Sequence, residues 1–341
     1  MRALLCRAWG AVDDLRVEEV PAPVPGPGEV LIAVRATAVN YADSIMVAGQ
    51  YQTRPELPFS PGLETAGVVA ACGAGVTRFA PGDRVMAVLA HGGLAEMAVA
   101  AEPDTFAIPS GMGFAEAGAF PVSYISSHVA IRWMGRLEAG ETLLVLGAGG
   151  GVGLTAVEIG RAMGARVIAA ASTEDKLAAA RARGADATIN YTTDKLTDAV
   201  MALTGGEGAD VCFDPVGGPL FDAALSSLGW GGRMLLIGFV GGVPKIPANR
   251  LLVKNRSALG SSLRYFRWRA PEKLRASVDE LVRWYGEGRL VPCVTHRLPL
   301  ERGVEAIRLL TDRAAYGKVV VMLDAAAGSG SAGGRSEQEA R

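Results

Sequence analysis

A chain of 341 residues that is 50% hydrophobic and 20% charged carries enough apolar mass for two domains with a substantial core, and too much to be disordered as a whole. Its 34 basic and 35 acidic side chains leave a formal charge of -1 at pH 7, so no global field draws it to nucleic acid or to an anionic membrane, and neither is an expected partner. The four cysteines, Cys6, Cys72, Cys212 and Cys293, stand far apart with no CxxC pair, which argues against a disulfide framework or a four-thiolate zinc lobe and for reduced thiols.

The N-terminal MRALLCRAWG reaches Asp13-Asp14 after a brief apolar stretch, and no run of about 18 apolar residues follows. Neither a signal peptide nor a spanning helix is expected, and the cytoplasm is the expected location. From Glu29 to about Ile108, short apolar runs such as VLIAVRATAV and ETAGVVAACG alternate with turn signals (PGPGE, SPGLE, APGDR), predicting a mostly antiparallel β domain. From about Val122 the period changes. Between Gly140 and Phe239 apolar strands alternate with helical stretches, from ETLLVLG through GLTAVEIGRAMG, ARVIAAA and DVCFDPV to GGRMLLIGF, predicting a parallel doubly wound sheet. Beyond Leu259, two helices (PEKLRASVDELVRWYGEG, GVEAIRLLTDR) and two strands (CVTHRLPL, GKVVVML) leave that rhythm and are expected to complete the first domain. The expected division is therefore 1–121 with 261–325, a second domain over 122–260, and a Gly/Ser-rich disordered tail over 326–341.

Glycines cluster where the strand LLVL meets an amphipathic helix: Gly147, Gly149, Gly150, Gly151 and Gly153 in LGAGGGVGLTAVEIG. A strand, a glycine turn and a helix inside a βαβ unit form the context of a dinucleotide fingerprint. Without Cβ atoms, a pyrophosphate can approach the main-chain N–H groups from Gly149 through Val152 to Gly153 at a helix N-terminus, where unpaired donors and the helix dipole favour an anion. A tight turn with close helix–sheet packing and no ligand is the bland alternative. About 20 residues on, an acid at the tip of the second strand would bond the ribose hydroxyls of NAD. The strand RVIAAA instead ends at Ala171-Ser172 with no carboxylate to repel a 2'-phosphate, and Ser172, Lys176 and Tyr191 are available donors, so NADPH is the expected cofactor. Ser172 and Asp175 could alternatively form a helix capping box with Lys176 a solvated helix residue.

These residues resemble the zinc-independent quinone oxidoreductase (ζ-crystallin-like) family of the medium-chain dehydrogenase/reductase superfamily. The resemblance rests on VNYADSIMVAGQY (39–51), LPFSPGLETAGVV (57–69), VTRFAPGDRV (76–85), GAFPVSYISSHVAI (118–131), GETLLVLGAGGGVG (140–153), FDPVGG (213–218) and GKVVVML (317–323). Two positions depart from the family's glycine-turn signature: Gly149, where it has Ala or Ser, and Glu158, where it has Gln; both read as drift. The family implies an α/β fold with a GroES-like β domain and a Rossmann sheet, and a homodimer paired through the last Rossmann strand, near RMLLIGF. By motif alignment its metal-dependent cousins hold catalytic zinc at the positions of Asn40, Leu63 and Val122, and Leu and Val cannot ligate zinc. His91, His128 and His296 are too scattered to suggest a local site.

Without a Lewis acid, simple ketones are poor acceptors, whereas a quinone or α,β-unsaturated carbonyl spreads incoming charge over a conjugated system and needs only hydrogen bonds of the oxyanion-hole kind, each worth roughly 3 kcal/mol. The family and the missing ligands together imply hydride transfer from NADPH to such an acceptor. Residue by residue, the resemblance puts Asn40 and Tyr51 beside the nicotinamide, with Tyr41 nearby, although Asn40 and Tyr51 could equally hold a loop. Ser126 matches a position touching the carboxamide, and Val216, Gly217, Gly238 and Phe239 match cofactor-contacting turns. Asp43 and Glu64 read as scaffold. RYFRW (264–268) could line the substrate mouth or serve as a packing surface. A reductase of enone C=C bonds and a non-catalytic NADPH-binding protein are the competing readings. A serine hydrolase is disfavoured because no G-x-S-x-G elbow occurs.

Overall fold

The computed structural model describes residues 1–323, so the expected tail at 326–341 lies outside the described residues. The chain opens with an antiparallel pair, β1 (Arg2–Leu5) and β2 (Arg16–Glu19). Then follow β3 (Glu29–Ala38), α1 (Tyr41–Val47), β4 (Glu64–Cys72), β5 (Arg84–Val88), β6 (Met97–Ala101) and β7 (Thr105–Ala107). In the turn between β4 and β5, Gly82 takes φ +100° and donates to Val69 O at 2.9 Å, which is why PGDR punctuates the two apolar runs.

Two short helices, α2 (Phe114–Gly118) and α3 (Pro121–His128), lead into the second sheet; Pro121 suits the first turn of α3, where its missing N–H costs nothing. The alternating stretch becomes β8 (Thr142–Leu146), α4 (Gly151–Ala162), β9 (Arg166–Ala171), α5 (Glu174–Ala182), β10 (Ala187–Asn190), α6 (Leu196–Leu203), β11 (Ala209–Asp214), α7 (Gly218–Ser226), β12 (Leu228–Leu236), α8 (Ala248–Val253) and β13 (Ser257–Gly260). All six strands run parallel in the order β10-β9-β8-β11-β12-β13, and TLLVL and RVIAAA are apolar nearly throughout because helices cover both faces. This corrects the expected sheet edge: β13 pairs outside β12, Met234 opposite Ala258, so RMLLIGF is an inner strand. The four-residue SALG has too little apolar patterning to announce a strand after the turn-rich 240–256.

The chain then runs through α9 (Leu263–Arg269), α10 (Pro271–Gly286), β14 (Val294–Pro299), α11 (Gly303–Thr311) and β15 (Lys318–Met322). β15 pairs antiparallel with β3, Val320 opposite Ala38, so the C-terminal strands enlarge the first sheet to the order β14-β15-β3-β4-β5-β7, with β6 also on β3. One apolar cluster runs from Ala66, Met86 and Phe106 of the first sheet to Leu143, Val167 and Phe213 of the second, another lies within the first sheet around Ile32 and Val69, and Val122 packs against both. Among the described residues no helix is long and apolar enough to cross a membrane.

Candidate active site

In the second sheet the strand order reverses between β8 and β11, and in such sheets the crevice beyond the strands' carboxyl ends at that point is where ligands bind. The glycine turn leaves β8 there. Its demands differ by position. A Cβ on Gly153 would fall 2.2 Å from Gly147 O and 2.8 Å from Ala148 Cα, so this glycine lets α4 pack on its own turn. A Cβ on Gly150 would meet only Gly147 O, at 3.4 Å, leaving open space before the N-terminus of α4. That opening, facing the unpaired N–H groups of a 12-residue helix, fits a pyrophosphate.

The turn after β11 closes the crevice from the other side. Asp214 accepts from Val216 N–H and Gly217 N–H, both at 2.8 Å, although burial pushes its carboxyl above the ordinary value. Gly217 sits at φ +64°, Gly218 N–H donates to Gly242 O at 2.7 Å, and Gly241 N–H to Val216 O at 2.8 Å. A Cβ on Gly147 would touch Val216 at 3.0 Å and one on Gly217 would lie 3.2 Å from the Phe239 ring, so Gly147, Val216, Gly217 and the Gly238-Phe239 turn are brought together. The sequence reading missed Asp214, though it lies in the quoted FDPVGG.

At the other end, Tyr191 N–H donates to Ala171 O at 3.2 Å, and Thr192 Oγ1 lies 3.4 Å from Ser172 O, so Ser172 and Tyr191 flank the tips of β9 and β10. The alternative capping box is not formed: the N-cap of α5 is Thr173, with no side-chain cap bond. Lys176, in the first turn of α5, lays its stem over the glycine turn, where a Cβ on Gly149 would come within 2.5 Å of Lys176 Cβ and Cγ, and its ammonium reaches Arg313 O at 3.2 Å. The glycine at 149 is therefore not drift, because the space of an Ala or Ser side chain is taken by Lys176. Glu158 is not drift either. Nearly buried, it accepts from Tyr124 OH at 2.5 Å and from Arg183 and Val291 N–H at 3.2 Å, while burial still pushes its carboxyl up.

Between the two sheets lies a buried polar cluster. Asn40 caps α1, its N–H donating to Asp43 Oδ2 at 2.7 Å, and Asp43 Oδ1 accepts from Gly62 N–H at 3.0 Å. Asp43 is fully buried, and burial pushes its carboxyl up to about 7 against those two bonds and the charge of Lys318. Glu64, also fully buried, accepts on Oε1 from Asn40 Nδ2 at 3.0 Å and from Lys318 Nζ at 2.8 Å, and on Oε2 from Val122 N–H at 2.8 Å. Lys318 Nζ also donates to Asn40 Oδ1 at 2.8 Å. Of the three aligned zinc positions, Asn40 thus bonds an ammonium, Val122 offers only its backbone N–H to a carboxylate, and Leu63 packs in the apolar core. Among the described residues no three His, Cys, Asp or Glu side chains form a group able to hold a metal.

Tyr51 is half-buried against the apolar cluster within the first sheet; burial raises its hydroxyl above the ordinary value, helped by Asp43 and opposed by Arg264 and Arg267 of α9. Tyr41, the first residue of α1, is 36% exposed. In α9, Phe266 packs inward, Arg267 bonds Asp104 at 2.8 Å, and Tyr265 and Trp268 are 57% and 68% exposed, so RYFRW is in part a packing surface while two of its aromatics stay exposed. Ser126 is half-buried on α3, and its neighbour Ser127 ties that helix to α4 through Val152 O at 3.0 Å and Thr155 Oγ1 at 2.8 Å. Lys318 was missed altogether; GKVVVML gave it only as the lead-in to a strand.

Comparison with known proteins agrees with this construction. Residues 26–124 match the alcohol dehydrogenase GroES-like domain and residues 151–283 the zinc-binding dehydrogenase domain. The chain is similar to a quinone oxidoreductase-like protein 2 homolog of Nematostella vectensis, 37% identical over 94% of this chain and 88% of that protein. Among solved structures it resembles the quinone oxidoreductase of Thermus thermophilus, determined also with NADPH (33% identity, TM-score 0.84, 95% and 100% of the two chains). It likewise resembles the Escherichia coli quinone oxidoreductase complexed with NADPH (26%, TM-score 0.89, 95% and 100%). With a GroES-like sheet, a Rossmann sheet and whole-length relatives of this kind, the chain is an oxidoreductase belonging to the zinc-independent, ζ-crystallin-like quinone oxidoreductase family of the medium-chain dehydrogenase/reductase superfamily.

Proposed function

We propose that this protein uses NADPH to reduce quinones or related conjugated carbonyls in the cleft between its two sheets. The observation that carries the reading is the crevice itself: an open approach to the N-terminus of α4 at Gly150, walled by Val216, Gly217 and Phe239, with no carboxylate at the tip of β9. The N–H groups of the turn would hold the pyrophosphate, and Ser172, Lys176 and Tyr191 the 2'-phosphate. When bound, the dinucleotide supplies the hydride. The chain supplies alignment and donors. Tyr51, whose hydroxyl burial makes harder to ionise than an ordinary tyrosine's, and Asn40 would orient the acceptor oxygen and stabilise the charge developing on it.

Four free thiols support a reducing compartment such as the cytoplasm. Edge strand β13, with Leu252 and Val253 of the adjoining α8 78% and 80% exposed, supports a homodimer paired edge to edge; light scattering on the purified protein tests it. To test the reaction, the protein is titrated with NADPH and NADH, and NADPH absorbance is followed on adding 1,4-benzoquinone or an enone. The expected result is tighter NADPH binding and quinone-dependent oxidation without added metal. Preference for NADH would overturn the assignment of Ser172, Lys176 and Tyr191. A saturated carbonyl as the product of choice would make the enzyme a C=C reductase, and binding without turnover would make it a non-catalytic NADPH-binding protein.

A further inference from the structure

We propose that Lys318 is the positioning residue of this site, fixing the side-chain amide of Asn40 in one of its two orientations and polarising it as a hydrogen-bond donor. The proposal rests on the functional reading above, in which Asn40 faces the reacting centre.

An asparagine amide is nearly symmetric in shape, so packing alone does not decide which end is oxygen and which is nitrogen; its partners do. Here they are unambiguous. The Lys318 ammonium can only donate and the Glu64 carboxylate can only accept, and they lie 2.8 Å and 3.0 Å from opposite ends of the Asn40 amide. Oxygen must face Lys318 and nitrogen Glu64; the flipped amide would lose both bonds. Lys318 also bonds Glu64 directly at 2.8 Å, closing a three-membered ring of polar groups whose two charged members are almost wholly buried. A buried ring of this kind holds its geometry because each partner would be left unsatisfied by movement of another.

The amide then has one donor in reserve. One Nδ2–H is committed to Glu64, and among the described residues the other has only Ala38 O at 3.4 Å, too long for a strong bond. The Lys318 ammonium bonded to Oδ1 draws electron density through the conjugated O–C–N unit, making the remaining N–H a better donor to a negative charge developing on an acceptor oxygen. Lys318 is itself held by the cofactor's side of the molecule. Gly317 N–H donates to Gly149 O at 2.8 Å, and the Lys318 stem lies where a Cβ on Gly151 would come within 2.7 Å of Cδ. The ammonium therefore takes its position from the glycine turn and passes it to Asn40.

The test compares wild type with Lys318→Met and with Lys318→Met/Glu64→Gln, the double variant leaving no buried carboxylate without its counter-charge. Thermal midpoint, NADPH Kd by fluorescence, kcat and KM with 1,4-benzoquinone, and the Asn40 side-chain amide resonance in 15N-labelled protein, assigned with Asn40→Ala, are read for each. The expected result is a double variant that keeps a wild-type melting temperature and a Kd within about threefold, loses tenfold or more in kcat, and has a displaced Asn40 resonance. Wild-type kcat and resonance in the double variant would make Lys318 a mere counter-charge to Glu64, and a Kd rising in step with the loss of kcat would make it a cofactor ligand; either overturns the proposal. If wild type oxidises NADPH with neither 1,4-benzoquinone nor an enone, the functional reading fails, while the resonance still decides whether Lys318 sets the amide.

Discussion

Gly150→Ala separates a glycine needed for a ligand from one needed for the fold. Gly150 is the N-cap of α4, with φ −77° and ψ 170°, a conformation open to any residue, and its added Cβ meets nothing nearer than Gly147 O at 3.4 Å. The folded state loses some capping preference, roughly 0.5–1 kcal/mol, and the unfolded state loses chain entropy worth about 0.4–1 kcal/mol in the other direction, so net stability stays within about 1 kcal/mol. Binding fares differently. The methyl group enters the open space before the N-terminus of α4, and losing one charge-assisted hydrogen bond to phosphate, about 1.5–3 kcal/mol, raises the Kd roughly ten- to hundredfold. Gly153→Ala is the contrast: its Cβ would lie 2.2 Å from Gly147 O with backbone on both sides, and the forced shift costs about 1–3 kcal/mol of stability before any ligand is added. Thermal melting gives the first quantity and NADPH fluorescence titration the second. A Gly150→Ala protein binding NADPH as wild type does would refute the cradle, and one melting as low as Gly153→Ala would show that the open space was misread.

Three further predictions rest on other parts of the molecule. Lys176→Ala weakens NADPH about tenfold while leaving NADH affinity unchanged, as the loss of one phosphate contact requires; Gly149→Ala, which displaces the Lys176 stem, shifts the same ratio in the same direction, and parallel titrations with both cofactors check it. Asp43 titrates near 7 in the fold against 3.8 ordinarily, so the fold favours its protonated form. The stability it contributes is complete below about pH 4 and is lost as pH rises through 7, by at most roughly 1.4 kcal/mol per pH unit. Wild type therefore loses more stability than Asp43→Asn between pH 5 and 8 in urea denaturation; parallel curves would contradict this. Arg183→Met strands the buried carboxylate of Glu158 and costs about 3 kcal/mol, whereas Glu158→Gln removes that charge and stays within about 1 kcal/mol of wild type, both measured by denaturant midpoint.

What could be read from the sequence follows the range over which each signal acts. The glycine turn was legible because its three ingredients, the strand LLVL, the glycines and the helix, are contiguous, and the same holds for the alternation that predicts the parallel sheet. β13 was not, because four residues of mixed character become a strand only through pairing with β12, which is tertiary. The harder cases are polar. Gly149 and Glu158 looked like departures of no consequence, yet each is matched by a residue 25 or more positions away: Lys176 fills the space over Gly149, and Arg183 neutralises Glu158.

The cluster around Asn40 shows why such matches escape a linear reading. Its members come from the start of α1, the first residue of β4, the first turn of α3 and the first residue of β15, positions 40, 64, 122 and 318. Asn40, Glu64 and Val122 are each singled out, but nothing in the sequence ties them to one another or to Lys318, since a lysine opening a strand is usually solvated. Burial gives them meaning, because a buried ammonium or carboxylate is tolerated only with its counter-charge and hydrogen bonds in place. Burial depends on the chain returning after Gly260 to lay β15 against β3, with Gly317 N–H on the glycine turn. That return puts the glycine turn and the Asn40 amide on either side of one lysine, so that under the proposed function cofactor seating and acceptor orientation would meet in a side chain whose sequence context predicts only a strand.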